Sequence, residues 1–180
     1  MPSKYFYRRL IPLVMIPNAS VVERLVFRLT GRSLFNPIMT RAGGFEPRPC
    51  LFLRTVHWKS GRTRDMVLPY LRDGDSYVVT GSLAGRPKDP VWATNVRAHG
   101  FAWIRVEGRW LFCDAHVAKG DEREALWRRN SPKGEYEGYA RMAHPRILPL
   151  VVLSPRQPDR AKRPSEDRAD TEATAGESDR

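Results

Sequence analysis

Cysteine is scarce: the chain of 180 residues has 2, Cys50 and Cys113. They stand far apart, which excludes a disulfide framework and paired-ligand spacing and suits a reducing cytosol. Histidine is nearly as sparse, and His57, His99, His116 and His144 show no metal-ligand spacing, so no metal is expected. No apolar run approaches the ~20 residues of a membrane span. The opening KYFYRRLIPLVMIP has a short apolar part broken by Pro12 and Pro17, and no small-x-small cleavage site follows; it makes a poor signal peptide. Internal repeats are absent. Acidic residues are in deficit, 20 against 31 Lys and Arg, for a formal charge of +11.

What is present is a hydrophobic content of 41%, enough for one globular domain with its own core. The charge is unevenly placed, because residues 1–155 hold 25 Lys or Arg against 13 Asp or Glu. The body is therefore the basic part, and it favours an anionic partner: a phosphate-bearing cofactor, nucleic acid or an anionic membrane face. The plain alternative is a solvated arginine surface. Nucleic acid is disfavoured, because the aromatics are not interleaved with the basic residues as a stacking platform requires. Near the N-terminus Tyr5, Phe6 and Tyr7 stand beside Lys4, Arg8 and Arg9. That stretch either packs on the body, the favoured reading, or attaches weakly to an anionic membrane.

Taken along the chain, residues 1–49 read as an N-terminal helical segment and connector. Ser20 and Glu23 have capping-box spacing, Val21, Leu25 and Leu29 form an apolar stripe to set against the strands, and Gly31 is the stop. Residues 34–49, with Pro37, Gly43, Gly44, Pro47 and Pro49, read as irregular. Residues 50–155 follow as the cofactor-binding domain. Strands are expected at 50–56, 65–72 and 76–82, the last two joined by Asp73-Gly74-Asp75, with Pro69 marking an edge or bulge. Asp89 is the expected N-cap and Pro90 the first residue of a short helix, VWATNVRA. FAWIRV and RWLFCDAHVA meet in a second hairpin at Glu107-Gly108, and strand alternation puts Cys113 in the core rather than in a nucleophile's place. Asp121 and Glu124 repeat the capping-box spacing for a helix through Trp127, and ILPLVVL is the last strand. Residues 156–180 are charged, hold no large apolar residue and read as a disordered tail. Six strands with helices around them indicate a small antiparallel barrel.

Two loops carry the chemistry. In HWKSGRTR, Lys59 and Arg64 offer charge, Ser60 a hydroxyl, and Gly61 lets backbone N–H groups approach an anion; an exposed hairpin turn often has this composition without function. The second loop strengthens the case. Ser82 and Gly85 open a small-residue approach, Lys88 precedes a helix start, and Trp92 and Asn95 share one helix face. Trp92 serves equally well as a core anchor.

The order KSG-x-x-Arg, strand–RDGD–strand, GSxxGxPKxPxWxxN, DEREALW, the Tyr136/Tyr139 pair and LPLVVLSP resembles the deazaflavin-dependent nitroreductase family over about residues 50–155. The resemblance implies a six-stranded antiparallel split β-barrel of the FMN-binding-like type with peripheral helices. It implies hydride transfer from reduced coenzyme F-420 to an electron-poor acceptor such as a quinone or nitroaromatic. Lys59, Ser60, Gly61 and Arg64 match the turn that holds the cofactor's phosphate and glutamyl tail. Ser82, Gly85, Lys88, Trp92 and Asn95 match the loop and helix start that continue the groove. Tyr136 and Tyr139 match the tyrosines on the substrate side, with Tyr139 expected to hydrogen-bond or protonate the acceptor. This chain departs from the pattern at His57-Trp58, Asp65-Met66, Leu83, Ala84 and Ala93. Two alternatives stand beside this reading: a split-barrel reductase using FMN, and a non-catalytic carrier of cofactor or lipid. A homodimer is expected by analogy, and so is a cytoplasmic protein or one peripheral to the inner face of the plasma membrane.

Overall fold

The computed structural model describes residues 4–14 and 18–156. Of the tail expected at 156–180, residues 157–180 lie outside the described residues, as does part of the N-terminal stretch. Six strands form: β1 (Cys50–Val56), β2 (Thr63–Asp73), β3 (Ser76–Thr80), β4 (Phe101–Val106), β5 (Arg109–Val117) and β6 (Leu150–Pro155). They close an antiparallel barrel in the order β1-β2-β3-β6-β5-β4. In β4 the period-2 pattern puts Ala102, Ile104 and Val106 inside and Phe101, Trp103 and Arg105 outside. The interior is filled by Leu51, Leu53, Val79, Ile104, Val151 and Leu153, each buried. Burying an aliphatic side chain of this size stabilises by about 1.5–3 kcal/mol. Cys113 sits in the same core, and burial pushes its thiol up to about 12; it is a packing residue. Both expected hairpins form, at Gly74 and at Glu107-Gly108, where both residues adopt the positive φ of a primed turn.

The barrel is split on one side. β2 pairs with β1 from Thr63 to Pro69 but with β3 only from Tyr70 to Asp73. Residues 63–69 thus have no strand partner on their second edge among the described residues. Pro69 stands where the β2–β3 ladder stops, the place for a residue with no N–H to donate, so the edge expected of it is found.

Among the described residues six α-helices surround the strands: α1 (Lys4–Val14), α2 (Ala19–Thr30), α3 (Phe35–Ala42), α4 (Val91–His99), α5 (Gly120–Asn130) and α6 (Glu137–Ala143). Several local expectations need correction. The Ser20/Glu23 capping box does not form: α2 starts after Asn18, and Glu23 is buried, accepting hydrogen bonds from Ser33 Oγ and from the backbone N–H groups of Leu34 and Phe35. Those bonds satisfy the free N–H groups at the start of α3, a helix where an irregular connector was expected. Pro37 is tolerated because it lies in the first turn, where its missing N–H costs nothing.

The apolar stripe on α2 is reversed too. Val21, Leu25 and Leu29 are 38%, 57% and 77% exposed, while Ala19, Glu23 and Phe27 face inward. Both stripes have helical period. The inward one carries Phe27, which stacks on Phe52 of β1 at 6.3 Å, and aromatic burial outweighs what the aliphatic stripe offers. Asp89 is not the N-cap of α4: Pro90 holds that position and Asp89 pairs with Arg97 and Arg146. Asp121 and Glu124 form no capping box either, and α5 runs on to Asn130.

Candidate active site

The first loop leaves β1 at Val56 and is folded around a side chain the sequence reading had set down only as a departure. His57 Nδ1 accepts hydrogen bonds from the N–H groups of Lys59 and Ser60, at 3.3 and 3.2 Å, and lies 3.1 Å from Ser60 Oγ. Gly61 N–H closes the turn on His57 O at 2.9 Å with φ +68°, a value only glycine adopts freely. Lys59 Nζ lies 4.7 Å from the centre of the Trp58 ring, and Lys59, Ser60 and Arg64 are exposed. The acidic neighbour Asp65 does not oppose them. It is bound by Arg54 through two contacts of 2.7 Å, in the β1–β2 ladder.

The second loop, between β3 and α4, is held from behind by Arg146, which sequence reasoning missed. Its guanidinium donates to the carbonyls of Gly81, Ser82 and Arg86 at 2.8–2.9 Å and to Asp89 Oδ1 at 3.0 Å. Asp89, thus neutralised, leaves the cationic character of exposed Lys88 intact. Gly85 has φ +77°, and a Cβ there would come within 2.6 Å of Met142 Cβ, so it is the contact by which this loop meets α6. Trp92 and Asn95 turn out to be interior residues. Trp92 is part of the barrel core. Asn95 bridges the loops, accepting from Trp58 N–H at 3.2 Å and donating to Thr55 Oγ1 at 2.9 Å. Their part is to hold the groove rather than to line it.

Where β2's free edge faces α1–α3 and α6 there is a cavity of about 820 Å³. That is ample for a drug-sized ligand. Met66, Val67, Ser82, Ala84, Tyr136 and Tyr139 contribute to one side, while Glu23, Phe35, Met39 and Arg48 come from the helical layer and the segment before β1. Ser82 and both tyrosines are therefore brought together. Lys59, Arg64 and Lys88 are not in the cavity wall; they stand exposed on or next to the two loops. Burial pushes the Tyr136 phenol above its ordinary range, with Arg48 and Thr80 opposing. Burial likewise pushes the Cys50 thiol up to about 12, which leaves this wall residue a poor nucleophile. Arg48, Thr80 and Asn130, which gather around Tyr136, are separated by up to 82 residues in the chain, and no local pattern marks them.

Residues 29–155 match the family model described as F420H(2)-dependent quinone reductase. The chain is similar to the F420H(2)-dependent quinone reductase Rv1261c of Mycobacterium tuberculosis, 30% identical over 113 residues, which cover 60% of this chain and 74% of that protein. Rv3178 of the same organism is 30% identical over 117 residues, covering 64% of this chain and 97% of its own length. Among solved structures, an F420-H2 dependent reductase (FDR-A) is 27% identical with a TM-score of 0.53, over 59% of this chain and 95% of its own. A chain solved as a domain-swapped dimer gives 27% and 0.54, over 59% of this chain and 81% of its own.

Proposed function

Because the chain belongs to the F420H(2)-dependent quinone reductase family, we propose that its acceptor is a quinone, reduced in the cavity beneath Tyr136 and Tyr139. It is an oxidoreductase of the split-barrel type with coenzyme F-420 as cofactor. The observation that carries the choice of site is the meeting of both tyrosines with the free edge of β2 in one cavity. The residues fit an anionic cofactor. Lys59, Arg64 and Lys88 are exposed beside the groove, while the nearby carboxylates Asp65 and Asp89 are engaged by Arg54, Arg97 and Arg146. When bound, the reduced deazaflavin supplies the hydride. The chain's own share is to hold the phosphate and acidic tail on the two loops, to exclude water with the helical layer, and to place a phenol where the acceptor oxygen needs a proton.

The helical layer also supports attachment to an anionic membrane. Residues 1–45 contain seven Lys or Arg and one acidic residue, Glu23, whose carboxylate is turned inward. Tyr5, Phe6 and Leu13 on α1, with Val22, Leu25 and Leu29 on α2, are exposed. Apolar side chains among an excess of cations suit the headgroup region, so we place the protein at the inner face of the plasma membrane.

The test is turnover. Purified protein should bind F-420 in preference to FMN and consume the reduced form when a soluble naphthoquinone is added. Binding of both redox forms without consumption, across a panel of quinones and nitroaromatics, would instead establish a carrier.

A further inference from the structure

Arg48 lies two residues before β1, and its guanidinium is part of the cavity wall. Nη1 donates to Asn130 Oδ1 at 2.6 Å and Nη2 to Glu135 Oε1 at 3.3 Å, and the guanidinium carbon is 5.9 Å from the centre of the Tyr136 ring. Asn130, the last residue of α5, is 1% exposed and turns its amide N–H to Thr80 Oγ1 at 2.5 Å. Arg48, Asn130 and Thr80 thus form one hydrogen-bonded chain, and it sets the Arg48 guanidinium near the Tyr136 ring. A buried amide with both ends bonded is a rigid spacer, so the Arg48 guanidinium has little freedom to move.

We propose that Arg48 assists proton transfer from Tyr136: held by Asn130 and Glu135 with its guanidinium near the ring, it stabilises by its charge the phenolate left when that proton is transferred. The inference rests on the quinone reductase reading. Two-electron reduction of a quinone takes a hydride, from the reduced deazaflavin, and a proton. The Tyr136 O–H bond breaks as the new O–H forms on the acceptor, giving a hydroquinone, and the phenolate regains a proton from solvent. Other groups facing the phenol work against its release. Burial is foremost, and the Cys50 thiol and the Tyr139 phenol act in the same sense. Glu135 tempers the guanidinium by its contact with Nη2. Arg48 is thus the cation set against several opposing influences.

The first readout needs no cofactor. A trifluorotyrosine in place of Tyr136 brings the ionisation into the range where the protein is folded, and phenolate absorbance follows it. Arg48→Met should raise the midpoint by about one pH unit or more, the effect of removing an opposite charge within a few ångströms. Arg48→Lys should raise it less, since a lysine keeps charge but not the fork. An unmoved midpoint in Arg48→Met overturns the proposal. Should that variant fail to fold, Arg48→Lys and Arg48→Gln undergo the same titration, and unmoved midpoints in both overturn it equally. The second readout is turnover of a naphthoquinone. Arg48→Met should lower kcat about tenfold with little change in KM, the signature of an interaction made in the transition state, and should cost nothing further in a Tyr136→Phe background. An equal loss in both backgrounds would overturn the link to Tyr136. A wild-type protein that consumes no reduced cofactor with any quinone would sink the functional reading, while the titration would still decide the part played by Arg48.

Discussion

Asp65 shows how far a residue's meaning depends on its partner. By sequence it is a carboxylate four residues from the glycine of a basic turn, and there it looks like a liability for an anionic cofactor. In the barrel it is 11% exposed and gripped by Arg54, itself 5% exposed and stacked 5.2 Å over Trp110. The pair is buried, so the two charges are worth keeping only together. Asp65→Ala should therefore destabilise the fold by about 3–5 kcal/mol, because a buried guanidinium loses the carboxylate that grips it through two contacts. The double variant Asp65→Leu with Arg54→Met should recover most of that loss. Urea unfolding of the three variants checks it, and a single variant as stable as wild type would contradict the pairing argument.

At the scale of elements, the loop between β3 and α4 has no ladder of its own to satisfy its carbonyls. Arg146, between α6 and β6, supplies the missing donors and ties the loop to the segment that carries the tyrosines. Its side chain is 9% exposed, so water cannot readily replace it. Arg146→Ala should cost about 2–3 kcal/mol of stability, the scale of a lost charge-assisted hydrogen bond at a buried site. Affinity for F-420 should fall with it, since Lys88 and Ser82 then lose their fixed placement. Arg146→Lys should recover only part of either, because an ammonium cannot reach several carbonyls from one plane. Denaturant curves run beside cofactor titrations test both; a variant that binds and unfolds like wild type would remove the clamp.

For the whole molecule, the question is what the helical layer faces outward. Its inner side lines the cavity and its outer side leaves apolar residues of α1 and α2 among cations. Each basic residue near an anionic surface contributes about 1 kcal/mol, falling off within a Debye length. Sedimentation with phosphatidylglycerol vesicles should therefore remove the protein from solution at low salt and release it at high salt. Deleting residues 1–17, or introducing Leu25→Glu with Leu29→Glu, should weaken recovery further. Equal amounts in the supernatant with and without vesicles would rule the attachment out.

The sequence by itself determined the strands, both hairpins, the barrel and the family, because these rest on local signals. Period-2 alternation, Asp-Gly and Glu-Gly turns and a proline at a ladder's end act within a few residues. It also located the two basic loops, and it singled out Ser82, Tyr136 and Tyr139 by motif, though only the fold brings them to one cavity. Local signals failed where two local solutions were equally good. Both faces of α2 have helical period, and only the presence of Phe52 on β1 decides for Phe27 over the stripe of Val21, Leu25 and Leu29. Ser20 and Glu23 have capping spacing, yet Glu23 gains more by reaching the bare N–H groups of Leu34 and Phe35 in the next helix. Asp89 was drawn from its cap by two arginines. Trp92 and Asn95 went inward for the same kind of reason, since a helix that plugs the barrel buries the face that points at it. Arg48, Thr80, Asn130 and Arg146 carry no local signature at all. Their partners lie tens of residues away, and only closing the barrel and laying the helices across its split edge brings those charges and amides within hydrogen-bonding distance.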